Sequence, residues 1–412
     1  MASLTELPDN TPCIVGLART PMGGLNGSMS SFTAMEIGSI AIKAAMERAN
    51  ISGEQVDEVY MGNVLQAGLG QNPARQAALM AGIPTDCPAT TVNKVCASGM
   101  KAVALAANSI RLGEGNIIVA GGFESMSRSP HCIPAMRRGV KYGAAEIIDI
   151  MQHDGLTNPI GELKGQLMGN CGDLCSRQFN IGREEQDKFA SASYTRAHKA
   201  REAGKFKREI VDVSVPNRRG PPTVVSHDEE SLSRGPMTIE QLSKLRTAFD
   251  QTGTVTAGNA STISDGGAAI VLTSAKKAKE LGLDVLAVVK GQGDAAQNAE
   301  MFTTAPAKAI PIAIERAGLK ATDVDFYELN EAFAVVSAVN CQLLNLDPEK
   351  VNVYGGAVSM GHPLGCSGAR ILITLMSVLR QEGGTIGCAG VCNGGGGASA
   401  MVLQRMTGKG AL

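Results

Sequence analysis

Three short segments of the sequence place a reactive side chain among glycines. Cys96 precedes Ala97-Ser98-Gly99, His362 lies within segment 361–365, and Cys392-Asn393 precedes four consecutive glycines that begin at Gly394. Each glycine loses more backbone entropy on folding than other residues do, so glycines beside a cysteine that serves only packing would lower stability without a benefit. Bare backbone N–H groups beside a thiol suit chemistry on a carbonyl, because they can hold a developing oxyanion. The segments therefore predict a nucleophile, a base and an oxyanion-binding site.

Cys96 stands directly before a predicted helix over residues 97–112. The positive end of a helix dipole stabilises a thiolate, so we expect a lowered pKa for this thiol. A buried cysteine that only fills a small space is the alternative interpretation of the position taken alone. Its combination with the other two segments favours a nucleophile.

The other two segments suit a base and an anion site. His362 is one of five histidines and lies between a glycine and a proline, which predicts a rigid turn and proton transfer. The glycines after Cys392 indicate an anion-binding nest, whereas a phosphate-binding loop would need a following Lys-Ser or Lys-Thr. Asn330 follows a predicted strand over 323–329, and its amide suits holding a water or an oxygen. The adjacent Glu331 fits a capping or supporting role equally well.

Composition limits the class of protein. The 412 residues are 44% hydrophobic and 19% charged with a formal charge of −1, which predicts a soluble globular protein and argues against nucleic acid as a main partner. The first twelve residues contain no Lys or Arg and no apolar core, so we expect reduced cysteines in the cytoplasm, with mitochondria less favoured. No segment approaches the ~18 apolar residues of a membrane span. The pairs Cys171/Cys175 and Cys388/Cys392 lack the further ligands of a zinc site.

The chain contains an internal repeat. Short segments recur at an offset of 268 or 269 residues, which predicts two copies of one fold. The matched pairs are Glu47-Arg48-Ala49 with Glu315-Arg316-Ala317, Ser98-Gly99 with Ser367-Gly368, and segment 117–121 with segment 386–390. Strand-like and helix-like runs alternate in each copy, as in α/β proteins with flanking helix layers. We expect an insert in the first copy, between about Ser125 and Phe249.

Four separated motifs resemble those of the thiolases, in the family's order and over almost the whole chain. They are the segments 93–101, 330–333 and 355–370 and the terminal Cys392-Asn393-Gly394-Gly395-Gly396. The resemblance is greatest to the biosynthetic branch, the acetyl-CoA C-acetyltransferases, and segment 253–261 supports this placement. It implies a layered αβαβα fold, built from an N-terminal half (1–124 and 250–278) and a C-terminal half (279–412). A loop domain that binds coenzyme A (CoA) would occupy 125–249, and the assembly would be a homotetramer.

The resemblance also implies a role for each reactive residue. Cys96 would accept an acetyl group after activation by His362, which would then hold a thioester oxygen together with a water bound by Asn330. Cys392 would exchange the α-proton of a second acetyl-CoA. The N–H groups of Cys96 and Gly394 would hold the oxygen of the acetylated cysteine. The implied reaction is the reversible Claisen condensation of two acetyl-CoA to acetoacetyl-CoA and CoA, without a required cofactor.

Further residues resemble the family's contacts to pantetheine and the acyl group. These are Met168, Tyr194, Leu245, Phe249, Ala257, Ser261, Phe302, Ala332 and Phe333. Two positions depart from the family pattern. Leu167 stands where many short-chain members have histidine, and Phe123 stands where methionine is usual.

Tyr194 resembles the potassium-activated subtype of the family. The implied K⁺ ligands are its phenol oxygen and backbone carbonyls at Ala257, Gly258, Ala260 and Val358. The alternative interpretation is that Tyr194 only packs in the loop domain.

Three other functions remain as alternatives. A degradative 3-ketoacyl-CoA thiolase of broader chain length would use the same residues and differ in the volume of its acyl pocket. A non-catalytic lipid carrier of the same fold would have no need to retain Cys96, Asn330, His362 and Cys392 together. A cysteine peroxidase or redox sensor would need a resolving cysteine rather than a Gly-His-Pro turn.

Overall fold

The computed structural model describes residues 4–406, which form α-helices and β-strands joined by short 3₁₀ turns and by a π-helix over Met151–Leu156. The helices are α1 (Ala34–Ala49), α2 (Pro73–Met80), α3 (Ser98–Leu112), α4 (Met168–Phe179), α5 (Arg183–Glu202), α6 (Glu229–Ser233), α7 (Ile239–Ser243), α8 (Ala275–Leu281), α9 (Pro306–Arg316), α10 (Ala334–Leu344), α11 (Ala357–Met360) and α12 (Leu364–Gln381). The strands are β1 (Pro12–Arg19), β2 (Gly23–Gly24), β3 (Glu58–Gly62), β4 (Ala89–Val92), β5 (Ile117–Ser125), β6 (His131–Cys132), β7 (Ile148–Asp149), β8 (Val213–Val215), β9 (Thr223–Val225), β10 (Ser264–Ser274), β11 (Ala287–Ala296), β12 (Phe326–Leu329), β13 (Ile386–Asn393) and β14 (Gly397–Arg405).

The strand pairing confirms the predicted repeat. In the first half β3 runs parallel to β5, β5 antiparallel to β10, and β10 antiparallel to β1. In the second half β12 runs parallel to β13, β13 antiparallel to β14, and β14 antiparallel to β11. A short antiparallel pairing of β1 with β11 joins the halves into one sheet of order β12-β13-β14-β11-β1-β10-β5-β3-β4.

One aspartate in each half fastens the same turn. The Oδ2 atom of Asp57 accepts from the N–H groups of Asn116 and Ile117 at 2.7 and 2.9 Å. Asp325 accepts from Thr385 and Ile386 at the same two distances. The repeat therefore extends to individual hydrogen bonds that set the start of β5 and of β13.

The elements form the predicted αβαβα layers. Helix α1 packs on β1, β5 and β10, and α9 packs on β11, β13 and β14, so each covers an outer face. Helices α3 and α12 pack on each other and lie between the two halves of the sheet. Their buried side chains join those of both sheet halves in one central hydrophobic cluster.

The two central helices touch through a glycine from each. A β-carbon on Gly99 would lie 2.8 Å from the carbonyl oxygen of Gly365, and one on Gly368 would lie 2.5 Å from the amide nitrogen of Met100. Both approaches are too close for a side chain, so these glycines are required by the helix contact. Because the catalytic candidates lie at the start of each helix, this contact brings the two motifs together.

The segment between β5 and β10 holds α4 to α7 and two short hairpins, β6–β7 and β8–β9. It is anchored to the central layers by a buried cluster of charges. Arg19 at the end of β1 contacts Glu209 at 2.7 Å and Asp228 at 2.6 Å. Within residues 4–406, no helix is long and apolar enough to cross a lipid bilayer.

Candidate active site

Cys96 sits on a strained turn before α3. The preceding residue, Val95, has a φ of 48°, a left-handed conformation that is rare for a β-branched side chain. The turn is held by Ser98, whose hydroxyl accepts from the Lys94 N–H at 2.8 Å and donates to the Val95 carbonyl at 2.6 Å. Backbone strain of this kind persists only where surrounding contacts enforce it, and it is concentrated at functional sites.

The Cys96 thiol lies where the predicted oxyanion donors converge. The backbone N–H groups of Gly394 and of Cys96 itself favour the charged form of its thiol and so act to lower the pKa. Burial nevertheless raises the pKa of the thiol to about 11, with the negative charge of Glu124 adding to the effect. The expectation of a lowered pKa is therefore wrong for the free protein, because loss of hydration outweighs the helix end and the two N–H groups. A base must take the thiol proton during the reaction.

Cys392 lies at the end of β13 and is fully buried. Burial raises the pKa of this thiol well above its usual value, and the nearby Cys96 raises it further. The glycines after it turn the chain into β14, with Gly396 at a φ of 89°. A β-carbon there would lie 2.2 Å from the Gln297 carbonyl oxygen, so only glycine fits. The Cys96 and Cys392 thiols therefore lie close enough for a charge on one to disfavour a charge on the other.

The ring orientation of His362 is set by Ser367 on the first turns of α12. The Nδ1 atom of His362 lies 2.7 Å from the Ser367 hydroxyl, which donates its own proton to the Pro363 carbonyl at 2.8 Å. The hydroxyl can therefore only accept from Nδ1–H, which leaves Nε2 with a free lone pair. Nε2 is buried and has no partner among the described residues. Burial, and secondarily the charge of Arg370, lowers the pKa of His362 to about 3, so the imidazole is neutral at pH 7.

Asn330 presents a second set of unsatisfied polar atoms. Its side chain is 1% exposed, and neither its Oδ1 nor its Nδ2 has a partner within residues 4–406. Buried amides without partners are rare in folded proteins and mark positions where a water or ligand is held. Glu331 has a supporting role: it accepts from the Ser193 hydroxyl, the Asn352 amide and the Val358 N–H at 2.7 to 3.1 Å.

A cleft of about 620 Å³ reaches Thr262, whose carbonyl accepts from the His362 N–H, and Met168, whose side chain lies against Gly394, but none of the five catalytic candidates lines it. Five of the nine predicted CoA contacts line it, namely Met168, Phe249, Ala257, Ser261 and Phe333. Leu167 lines it too, so the departure from histidine removes a polar group from the cleft wall. Phe123, the other departure, is fully buried against Gly38 and acts as a packing residue.

The other four predicted CoA contacts do not line the cleft. Phe302 and Ala332 belong to the hydrophobic cluster that also holds Met168, Phe333 and Cys392. Tyr194 and Leu245 belong to a separate cluster around α5 and α7. Phe302, Ala332 and Tyr194 are buried, whereas Leu245 is partly exposed, and the role of these four residues as CoA contacts stays a prediction.

The predicted K⁺ ligands lie close to a guanidinium group. The Nη1 atom of Arg234 donates to the Tyr194 hydroxyl at 3.2 Å and to the Ala257 carbonyl at 3.3 Å. Arg234 also pairs with Glu230 at 2.7 Å and lines the cleft. Two of the five predicted oxygen ligands are therefore already bound to a cation. Elsewhere in residues 4–406, no group of three or more His, Cys, Asp or Glu side chains is arranged to hold a metal ion.

Three residues of the site were missed in the sequence. Ser367 follows His362 by five positions and matches Ser98 across the repeat, which is a signal that the repeat could have given. Lys94 binds Asp294, the Ala398 carbonyl at 3.1 Å and the Ser399 hydroxyl at 2.8 Å, so it ties the Cys96 turn to the second half of the sheet. Arg234 lies in an irregular part of the insert where no local pattern marks it.

Comparisons with known proteins identify two family models that together cover most of the chain. Residues 13–276 match the family model described as "Thiolase, N-terminal domain", and residues 283–405 match "Thiolase, C-terminal domain". Acetyl-CoA acetyltransferase 2 of Arabidopsis thaliana is 57% identical over 95% of this chain and 96% of its own length. A Gibberella zeae protein named "Acetyl-CoA acetyltransferase ERG10, cytosolic" is 52% identical over 95% of this chain and 98% of its own length. The acetyl-CoA acetyltransferase of Saccharomyces cerevisiae is 49% identical over 95% and 98%.

Proposed function

The chain belongs to the thiolase family, and from this premise we propose how its residues carry out the reversible condensation of two acetyl-CoA to acetoacetyl-CoA and CoA. One observation carries the assignment of roles. The backbone N–H groups of Gly394 and Cys96 favour the charged form of the Cys96 thiol, while His362 Nε2 and the Asn330 amide lie buried without partners among residues 4–406. Such unsatisfied groups cost stability, and a transition state that carries charge on oxygen and a moving proton would satisfy them.

The first half-reaction acetylates Cys96. Its sulfur attacks the thioester carbonyl of acetyl-CoA while His362 Nε2 takes the thiol proton. The CoA thiolate leaves and takes the proton of the Cys392 thiol. Both thiols and the imidazole are neutral beforehand, because burial opposes every charge, so proton transfer accompanies bond formation rather than preceding it.

The second half-reaction forms the new carbon–carbon bond. The Cys392 thiolate removes the α-proton of a second acetyl-CoA, whose thioester oxygen is held by the protonated His362 Nε2 and by a water on Asn330. The resulting carbanion attacks the acetyl carbonyl on Cys96, with its oxygen held by the N–H groups of Cys96 and Gly394. The Cys96 thiolate leaves and recovers its proton from His362, and every group returns to its starting state.

Mass spectrometry tests the assignment of the nucleophile. After incubation with acetyl-CoA we expect one added acetyl group on Cys96, and none on the Cys96→Ala variant. Cys132, which is partly exposed and remote from these motifs in the sequence, gives a control as Cys132→Ala, expected to label normally. An acetyl group found only on another residue would overturn the assignment.

We also propose that the loop domain 125–249, together with 250–263, supplies the CoA-binding wall of the cleft. The apolar lining of the cleft at Leu156, Leu167 and Met168 supports an acyl group beside the pantetheine, and we propose that this group is short. Turnover across a series of 3-ketoacyl-CoA chain lengths separates this proposal from a degradative thiolase. A preference for the four-carbon substrate supports condensation of two acetyl-CoA, and equal rates up to long chains contradict it.

Assembly and location belong to the same proposal. We propose a homotetramer, because the segment 126–160 exposes large apolar side chains, including Met136, Tyr142, Ile147 and Ile160. We propose a cytoplasmic location, supported by the printed name of the Gibberella zeae relative. Light scattering of the purified protein and fractionation of cells test the two statements separately.

A further inference from the structure

Glu124 is a buried carboxylate of the first half for which the mechanism above has no role. It lies at the end of β5 and is 0% exposed. No Lys, Arg or His among residues 4–406 comes within ion-pair distance of it. Burying a carboxylate without a counter-charge is costly unless several donors hold it. A neutral side chain would avoid this cost, so the carboxylate calls for an explanation.

Four hydrogen bonds hold Glu124, and they come from two separate segments. Its Oε1 accepts from the Asn63 side chain at 2.8 Å and from the Leu65 N–H at 3.2 Å. Its Oε2 accepts from the Val64 N–H at 3.0 Å and from the Gly365 N–H at 2.9 Å. Three donors therefore belong to the loop after β3, and the fourth belongs to the first turn of α12, which directly follows His362 and Pro363.

The repeat gives this fourth hydrogen bond a meaning. At the offset of 269 residues, Gly365 corresponds to Cys96, and Glu124 corresponds to Asn393. The Cys96 N–H faces the reactive thiol in one half, whereas its counterpart, the Gly365 N–H, faces the Glu124 carboxylate in the other. The protein thus fills the counterpart of its own oxyanion site with the Glu124 carboxyl group, whose pKa is raised to about 7 by burial in spite of the backbone N–H groups that it accepts from.

The backbone around Gly365 leaves no room for adjustment. A β-carbon on Gly365 would lie 2.8 Å from the Asn63 Cα and from the Phe123 carbonyl oxygen. One on Gly122 would lie 1.9 Å from the Gly365 carbonyl oxygen. A shift of the carboxylate is therefore passed directly to Gly365, three residues from His362.

We propose that Glu124 is a positioning residue for the condensation, because its carboxylate fixes the Gly365 backbone and with it the turn that places His362 Nε2 at the Cys96 thiol. This inference rests on the role of His362 proposed above. Each carboxylate oxygen of Glu124 accepts from two N–H groups. In Glu124→Gln one of these oxygens becomes an NH₂ group, which cannot accept, so two donors face another donor whichever way the amide is turned. The link between the β3 loop and the His362 turn is weakened in either orientation.

Rapid-quench mass spectrometry of Cys96 acetylation tests the proposal in the full-length protein. For Glu124→Gln we expect acetylation to be slowed about tenfold or more, while the affinity for CoA, measured by calorimetry, stays within about twofold. The matched control is Glu209→Gln. Glu209 is equally buried, pairs with Arg19 and accepts from the Ser377 hydroxyl near the far end of α12. The control variant is expected to melt at a lower temperature and to acetylate at the rate of the unaltered protein.

Two outcomes would overturn the inference. One is acetylation by folded Glu124→Gln at the unaltered rate, and the other is equal slowing in the control. If Glu124→Gln does not fold, Glu124→Asp keeps the charge but withdraws it from Gly365, and the same comparison applies. A parallel His362→Ala variant separates the proposed role of His362 as a base from the positioning role of Glu124. If His362→Ala acetylates at the normal rate, the proposed role of His362 is wrong. If it is slow while the Glu124 variants are normal, only the positioning role fails.

Discussion

The Nδ1 atom of His362 lies 2.7 Å from the Ser367 hydroxyl, and that hydroxyl is already committed as a donor to the Pro363 carbonyl. The tautomer of the imidazole is therefore determined by a residue on the helix that follows it. A free Nε2 lone pair is what a base for the Cys96 thiol needs. Ser98 holds the Cys96 turn from the equivalent place in the first repeat, so each half uses one serine to set one reactive group.

Ser367→Ala should slow catalysis more than it lowers stability. Without the hydroxyl, Nδ1 has no acceptor and the ring loses its preference for one tautomer. We expect kcat to fall at least tenfold with a small change in KM, and a loss of about 1–3 kcal/mol for the unsatisfied donor. Steady-state kinetics and thermal melting measure the two effects. Ser377→Ala, which removes a hydroxyl from the far end of α12, should cost stability alone, and an equal loss of kcat in both variants would contradict this role of Ser367.

The reactivity of Cys96 in the free protein should follow its raised pKa. Because only the thiolate is alkylated and the pKa is about 11, the rate of iodoacetamide labelling at Cys96 should rise about tenfold per pH unit from pH 7 to 10. Site-resolved mass spectrometry measures the rate. The unfolded chain, with an ordinary thiol pKa of about 8.5, serves as the control. A plateau below pH 8 in the folded protein would show a stabilised thiolate and contradict the effect of burial.

Much of the site follows from the sequence, and the exceptions have a common cause. The repeat and the glycines predict the two central helices and the residues at their starts, since a constant offset and a left-handed or crowded backbone are local properties. The predicted lowering of the Cys96 pKa is wrong, because burial of the thiol depends on how both halves of the fold close over it. Glu124 and Arg234 were missed for the same reason: their partners are distant in sequence.

Relieving the strain at Val95 should separate stability from activity. A non-glycine residue in the left-handed conformation destabilises the fold by about 1–3 kcal/mol. Glycine removes this strain but itself destabilises the fold by about 0.5–1 kcal/mol, because it loses more backbone entropy on folding. Val95→Gly relieves this strain but also removes a side chain that packs on the central hydrophobic cluster, so the melting temperature should change little, while the freed turn lets the Cys96 thiol move and acetylation slows. Asn26→Gly makes the same backbone change at an exposed turn with a φ of 55° and should not alter acetylation. Normal acetylation by folded Val95→Gly would show that the strained turn does not position the Cys96 thiol.

The two half-reactions should respond differently at Cys392 and Asn330. Cys392→Ser replaces the acceptor of the α-proton by a much weaker base, so exchange of deuterium into acetyl-CoA should fall far more than acetylation of Cys96. Asn330→Ala removes the proposed water site, and loss of one such donor typically costs about 10²–10³ in rate. NMR of the α-protons and mass spectrometry of Cys96 measure the two steps. Equal losses in both steps for Cys392→Ser would contradict the assignment of Cys392 as the α-carbon base.

Potassium should act on the loop that carries Tyr194 only if the ion can share its oxygens with Arg234. The guanidinium already binds the Tyr194 hydroxyl and the Ala257 carbonyl, so K⁺ must enter beside it or displace it. An ion bound to the ordered loop shifts the equilibrium towards that state and so lowers KM or raises kcat. We expect K⁺ to lower KM for acetoacetyl-CoA relative to Na⁺ at equal ionic strength, and Tyr194→Phe to abolish the difference. Arg234→Gln removes the competing charge, and its response to K⁺ should be larger than that of the unaltered protein. Identical kinetics in the two salts for both the unaltered protein and Arg234→Gln would leave Tyr194 as a packing residue.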